Sequence, residues 1–283
     1  MKLPQGGESE SGSHSCPCCG RDQALPQMAS KGNGAGGENE PGPVRMRQSG
    51  TAGILKVKPA ESASAAAVIG VPEGMTLIPA GSFLSGDRKV PRTLRAFSID
   101  TTPVTEGEYK KFLAAAGKQP KAGAAGSRPS RFDRHPVTQI TWYEANEFAE
   151  HYGKRLPTVY EWEKAARGVD GRHFPFGNTF KPGCGQLRAS AQDGARRPAQ
   201  ERATAQVGTH PAGASPYGVQ DMAGNVLEWT SSARRSGERL FRAVKGASFQ
   251  DGSPELARCT GVQYIPPEFS EPHVGFRCVS DVE

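Results

Sequence analysis

No stretch of this 283-residue chain is apolar for long enough to cross a bilayer, so no membrane partner is expected. Its first residues, MKLPQGGESESG, hold a single Lys and no hydrophobic core. That argues against a secretory signal. Aromatic residues are scarce, at 7%, and the basic residues never gather into a stripe. The densest basic spots, RPSRFDRH (128–135) and ARRSGER (233–239), hold only a few charges each. The net charge of +6 is therefore read as a solvated surface, with no nucleic-acid partner. Cysteine is also sparse: six residues, at 16, 18, 19, 184, 259 and 278. Their uneven spacing is not a disulfide framework and points to a reducing cytoplasm. A G-x-S-x-G elbow is missing too. Ser248 follows Gly246-Ala247, but position 250 is Gln, which leaves a Ser-His-Asp hydrolase without support.

Glycine and proline are abundant, at 35 and 23 residues, and apolar residues reach only 36%. This describes a loop-rich chain, unlike a helical bundle or a Leu-rich parallel sheet. Residues 1–72 are rich in Gly, Ser, Pro and charge. They bury too little apolar surface to offset the entropy of folding, so a disordered segment is expected there. Within it, CPCCG places Cys16 and Cys19 at zinc-knuckle spacing. A tetrahedral site needs four ligands, however, and only Cys18 and His14 are near. A single ordered domain is expected over 73–283.

Order begins with two short strands in MTLIPAGSFLSG, a third in RAFSIDTTPVT, and a later one in FRAVKG. Three helices announce themselves in the same way. Thr105–Glu108, Thr141–Glu144 and Thr158–Glu161 are T-x-x-E capping boxes, in which the Thr and Glu side chains satisfy each other's backbone N–H groups. The helices are expected to stop near Gly117, Gly153 and Gly168. Trp142, Ala145, Phe148, Ala149 and Tyr152 form the inward face of the second. Trp162, Ala165 and Ala166 form that of the third.

Three stretches carry the residues that chemistry requires. In YGVQDMAGNVLEWTSS (217–232), Asp221, Asn225 and Glu228 are oxygen donors around a flexible Gly224, a pattern suited to a hard cation such as Ca²⁺. The alternative is a capped turn with Trp229 in the core. In GKRLPTVYEWEKAARG (153–168), Arg155 is expected to pair with a nearby Glu inside the fold. In KGASFQDGSPELARC (245–259), Ser248 and Asp251 are the polar candidates, and Cys259 reads as a buried small residue.

Taken together, MTLIPAGSFLSGD, HPVTQITWYEANEFAEHYGKRLPTVYEWEKAARG, FPFGN, DMAGNVLEWTSS, VKGASF and VGFRC resemble the formylglycine-generating enzyme (sulfatase-modifying factor) family, in family order over residues 73–280. The resemblance implies an α+β, C-type-lectin-like fold, loop-rich and poor in regular secondary structure. It implies a structural Ca²⁺ on the side chains of Asp221 and Glu228 and the carbonyls of Gly224 and Val226. A second calcium site, after FPFGN, is expected to be missing, since CGQLRASAQDGARRPAQER lacks aligned ligands. Family enzymes oxidise a sulfatase cysteine to formylglycine with O₂ and copper held by two thiolates, soft ligands that suit Cu(I). In this chain those positions fall at Asp251 and at Pro254–Glu255. Neither is Cys, which argues against copper. Leu227 stands where the family keeps a Trp beside the oxygen pocket, and Ser248 is retained. Cys259 and Cys278 match family cysteines whose usual partners fall at Ala149 and Ala166, so free thiols are expected. A branch using iron bound by histidines on a further domain is not matched, because the six His are dispersed.

Two readings follow. The first is a member without the copper pair, a calcium-braced binding or accessory module that presents the groove around Ser248, Asp251 and the C-terminal loops to a protein or peptide. The alternative is an active formylglycine-generating or related O₂-using oxidoreductase with relocated chemistry. Asp251 would then ligate a harder metal such as iron.

Overall fold

A computed structural model describes residues 70–120, 122–187 and 203–282 of the chain. The CPCCG cluster, the expected disordered segment up to residue 69 and most of the second calcium region lie outside the described residues.

Strands β1 (Met75–Ile78) and β2 (Gly81–Ser85) follow one another but join different sheets. Pro79 and Ala80 connect them. β2 instead pairs antiparallel with β3 (Val90–Leu94), while β1 pairs with β4 (Phe97–Asp100). β4 is buried at all four positions and pairs on its other edge with the last strand, β9 (Val279–Asp281). The first and last strands of the described residues thus flank β4 in one antiparallel sheet.

Three helices come next, each beginning where its capping box lies: α1 (Glu106–Ala115), α2 (Trp142–His151) and α3 (Val159–Arg167). In every case the Thr side chain accepts from the backbone N–H of the Glu, and the Glu carboxylate accepts from the Thr N–H. Such caps are each worth about 0.5–2 kcal/mol. α3 stops at Gly168, whose φ of 70° is left-handed and costs a glycine least.

The second sheet is built from β5 (Leu227–Ser236), β6 (Arg239–Lys245), β7 (Val262–Ile265) and β8 (Val274–Phe276), in the order β7-β6-β5-β8. Only β5 and β8 run parallel. A register shift interrupts the β5–β6 ladder between Trp229 and Ala233.

Two main cores hold these layers. One joins α1 and α2 to β5 and β8, with Phe112, Phe148, Trp229 and Phe276 at its centre. The other joins α3 to the β1-β4-β9 sheet, with Trp162, Ala165 and Ala166 fully buried beside Ile78, Ile99 and Val279. The α3 face agrees with the sequence reading. That of α2 agrees at Ala145, Phe148 and Ala149, while Trp142 is partly buried against the same core and Tyr152, the C-cap residue, is 45% exposed. Among the described residues no helix is long and apolar enough to cross a membrane.

Candidate functional site

The 221–228 and 245–259 stretches meet in space. Phe249 N–H donates to the Asn225 carbonyl at 3.1 Å, joining the two turns. Gly246, at φ 80°, lies so close to the Trp162 ring that a Cβ would sit 3.3 Å from it. On the other side, Asn225 N–H donates to the Gln186 carbonyl at 2.8 Å, and a Cβ on Gly224 would sit 2.7 Å from that oxygen. The DMAGN turn is therefore pressed against the backbone of residues 185–187, a closeness only glycine permits.

Asp221 is buried and has φ 59°. Its Oδ2 accepts from Gly208 N–H at 2.7 Å, while its Oδ1 is buried without a hydrogen-bond partner. Burial raises the Asp221 pKa; the Gly208 N–H and the charge of Arg277 only partly offset it. A bare oxygen on a buried carboxylate is the donor a hard cation would use.

Glu228 is in a different state. Arg277 clamps it in two bonds: Nε to Oε2 at 2.7 Å and Nη2 to Oε1 at 2.7 Å. Trp162 Nε1 donates to Oε2 as well, at 2.6 Å. Both partners of the ion pair are essentially inaccessible, at 1% and 0% exposure. The remaining Arg277 donors reach the carbonyls of Asp100, Thr101 and Gln220, so all five N–H groups of the guanidinium are used. Glu228, expected as a calcium ligand, has both carboxylate oxygens engaged by Arg277 and Trp162. Of the expected donor set, the Asp221 end fits a cation and the Glu228 end is an ion pair. Among the described residues no group of three or more His, Cys, Asp or Glu is placed to hold a metal.

In the 245–259 stretch, Ser248 is fully buried and its Oγ donates to Asp251 Oδ2 at 2.8 Å. The same oxygen accepts from Ser248 N–H at 2.7 Å, and Asp251 N–H donates to the Ser248 carbonyl at 3.0 Å. Asp251 closes a tight local turn. The expected second thiolate position lies on a short 3-10 turn, Pro254–Ala257, where Glu255 pairs with Arg258 at 2.7 Å.

The described cysteines, 184, 259 and 278, are free and buried. Burial pushes the Cys259 thiol up to about 12 and raises that of Cys278 well above its ordinary value. Cys278 shares its apolar cluster with Ala149, and Cys259 shares the other with Ala166. Each of these cysteines thus lies in the same apolar cluster as one of the two alanines that the resemblance places at partner positions. Leu227 is buried in the first core cluster.

Sequence reasoning missed the buried cations. Lys245 is 2% exposed, donates to the Cys259 carbonyl at 2.8 Å and lies 5.2 Å from the Trp162 ring centroid. Burial lowers its pKa to about 8. Arg167 is fully buried on Glu163, at 2.6 Å. The available signal was a charged residue between apolar neighbours, as in Phe276-Arg277-Cys278 and Leu227-Glu228-Trp229. The expected pairing of Arg155 with a nearby Glu is present, and the partner is Glu161, with bonds at 2.6 and 2.9 Å.

The sulfatase-modifying factor enzyme 1-like domain matches residues 60–282, and the chain belongs to that family. It is 34% identical over 172 residues to the inactive C-alpha-formylglycine-generating enzyme 2 of Bos taurus, covering 58% of this chain and 55% of that one. The Mus musculus protein of the same name is 29% identical over 266 residues, covering 73% and 85%. The formylglycine-generating enzyme of Mycobacterium tuberculosis is 28% identical over 289 residues, covering 72% and 96%. Among solved structures, CarF superposes with a TM-score of 0.62 at 23% identity, over 75% of this chain and all of that one. PvdO from Pseudomonas aeruginosa gives 0.58 at 21% identity, over 74% and 94%. These two show the fold, which is the α+β, C-type-lectin-like arrangement expected from the sequence.

Proposed function

We propose that this chain is a non-copper member of its family, a binding or accessory module that presents the surface beside the 246–259 turn to a protein or peptide. One observation carries the reading. The residues where the resemblance places thiolates, Asp251 and Pro254–Glu255, are not cysteine, and the three described cysteines are buried free thiols elsewhere. Asp251 is occupied in holding the Ser248 turn, so it is not poised to replace a thiolate. The relatives named as inactive enzymes are consistent with a silent site. Next to the turn, Gln250, Ser253, Glu255 and Leu256 are exposed and offer a polar rim with an apolar point. The buried free thiols suit a reducing, cytoplasmic setting.

The proposal includes a structural calcium ion at the Asp221 end of the DMAGN turn, on the bare Oδ1 and the Gly224 and Val226 carbonyls. The support is the orphaned buried oxygen. Such an ion would neutralise the carboxylate that burial disfavours.

The test is to load the purified chain with Cu(I) or Fe(II), add a C-x-P-x-R peptide under O₂ and follow the peptide mass. The expected result is no conversion with either metal. Loss of the thiol mass with gain of an aldehyde would overturn the proposal and establish the oxidoreductase reading.

A further inference from the structure

A cavity of ≈ 350 Å³ opens between the end of β4, the outer face of α1 and the end of α2. Neither Ser248 nor Asp251 lines it. Its volume is at the lower end of the range that encloses small ligands, about 300–1,000 Å³. One wall is aromatic, with the Phe148 and Tyr152 ring centroids 4.9 Å apart and Tyr152 partly open to solvent.

The polar lining has unspent capacity of both signs. Buried Asp100 accepts from Lys154 Nζ on Oδ1 and from Cys278 N–H on Oδ2, each at 2.7 Å. An ammonium has three N–H donors, and Lys154 uses one of them on protein. At the rim, Lys111 and Glu73 have no polar partner among the described residues. Glu108 gives Oε2 to the α1 capping box and leaves Oε1 bare. A plain anion entering here meets Glu73 and Glu108; a plain cation meets Lys111 and Lys154. A molecule carrying both charges close together satisfies both sets, and an apolar group on it would cover the Tyr152 ring.

We propose that this cavity binds a small zwitterion of the α-amino acid class with a large apolar side chain. The carboxylate lies toward Lys111 and Lys154, the ammonium toward Glu108 and Glu73, and the side chain against Phe148 and Tyr152. This site is independent of the 246–259 surface, so either assignment can fail without the other.

Titration calorimetry of the full chain tests it, using free phenylalanine and leucine, their N-acetyl derivatives and their amides. Saturable binding of the free amino acids is expected, weakened at least tenfold by either derivative, since each removes one charge. Lys111→Ala and Tyr152→Ala change exposed side chains, and each is expected to weaken binding at least tenfold at an unchanged melting temperature. N-acetylated ligands binding as tightly as the free ones would overturn the zwitterion assignment in favour of a plain carboxylate. No saturable binding of any ligand would overturn the site itself, and so would unaltered affinity in both variants.

Discussion

The 221–228 stretch and the 248–251 turn touch through the Asn225–Phe249 hydrogen bond, yet they are held in opposite ways. Glu228 is bonded to Arg277, 49 residues further along, and to Trp162, 66 residues back. Asp251 is bonded to Ser248, three residues away. The first carboxylate ties β5, α3 and the segment between β8 and β9 into one buried charge network. The second closes a turn that needs little beyond itself. Equivalent-looking acids, both candidates for metal, thus serve unlike purposes, and the difference lies in where their partners come from.

Breaking the long-range end should have the largest effect. Glu228→Ala leaves the Arg277 guanidinium buried without its counter-charge, and unpairing a buried ion pair costs about 3–5 kcal/mol. Chemical denaturation should show this loss with and without calcium. A loss that appears only in calcium would assign Glu228 the role of metal ligand.

Calcium gives the next effect and sharpens the contrast within the 221–228 stretch. With free Ca²⁺ at a hundredfold above its dissociation constant, the native state should gain about 2.7 kcal/mol. The gain should disappear on adding chelator and be absent in Asp221→Asn. A melting temperature indifferent to both ion and chelator would remove the proposed site.

Lys245 provides a pH test of the buried network. Its folded pKa, about 8, lies below its ordinary value of 10.5. Between those values the unfolded chain binds more protons than the native one, so this group makes stability rise as pH rises from about 8 toward 10.5. Cys259 acts in the opposite sense above its ordinary value of 9.0, because its folded pKa is raised to about 12. The clean window is therefore pH 8 to 9, with a gain approaching about 1.4 kcal/mol per pH unit. Lys245→Met should lose that slope relative to the wild type. Equal slopes in the two proteins would show that Lys245 keeps its ordinary pKa.

The smallest effect is expected at the local end. Asp251→Ala removes two bonds that close one turn, comparable to losing a helix cap, about 1 kcal/mol. A loss as large as that of Glu228→Ala would erase the distinction between the two regions.

Much of the scaffold was legible from residues close together in the chain. The three capping boxes set helix starts through bonds spanning three residues, and Arg155 found Glu161 only six residues away. Trp162, Ala165 and Ala166 betrayed a buried face by helical spacing. The fate of the candidate ligands was not legible in this way. Asp221 and Glu228 lie seven residues apart and look equally suited to calcium, but only the fold brings Arg277 onto one of them. Nor did Lys245, in a strand otherwise read for its pattern, announce that it lies under Trp162.

The sequence by itself determined where helices start, which faces turn inward, and that Asp251 and Pro254–Glu255, where the resemblance places thiolates, are not cysteine. Each of these depends on residue identity or on bonds within a turn of chain. Tertiary structure alone decided which carboxylate is neutralised and which retains a bare oxygen. It also decided that Asp100, Lys154 and the Phe148–Tyr152 wall face one cavity. The physical reason is desolvation: burial makes every charge find a partner or shift its pKa, and the partner within reach is set by the folded path of the chain.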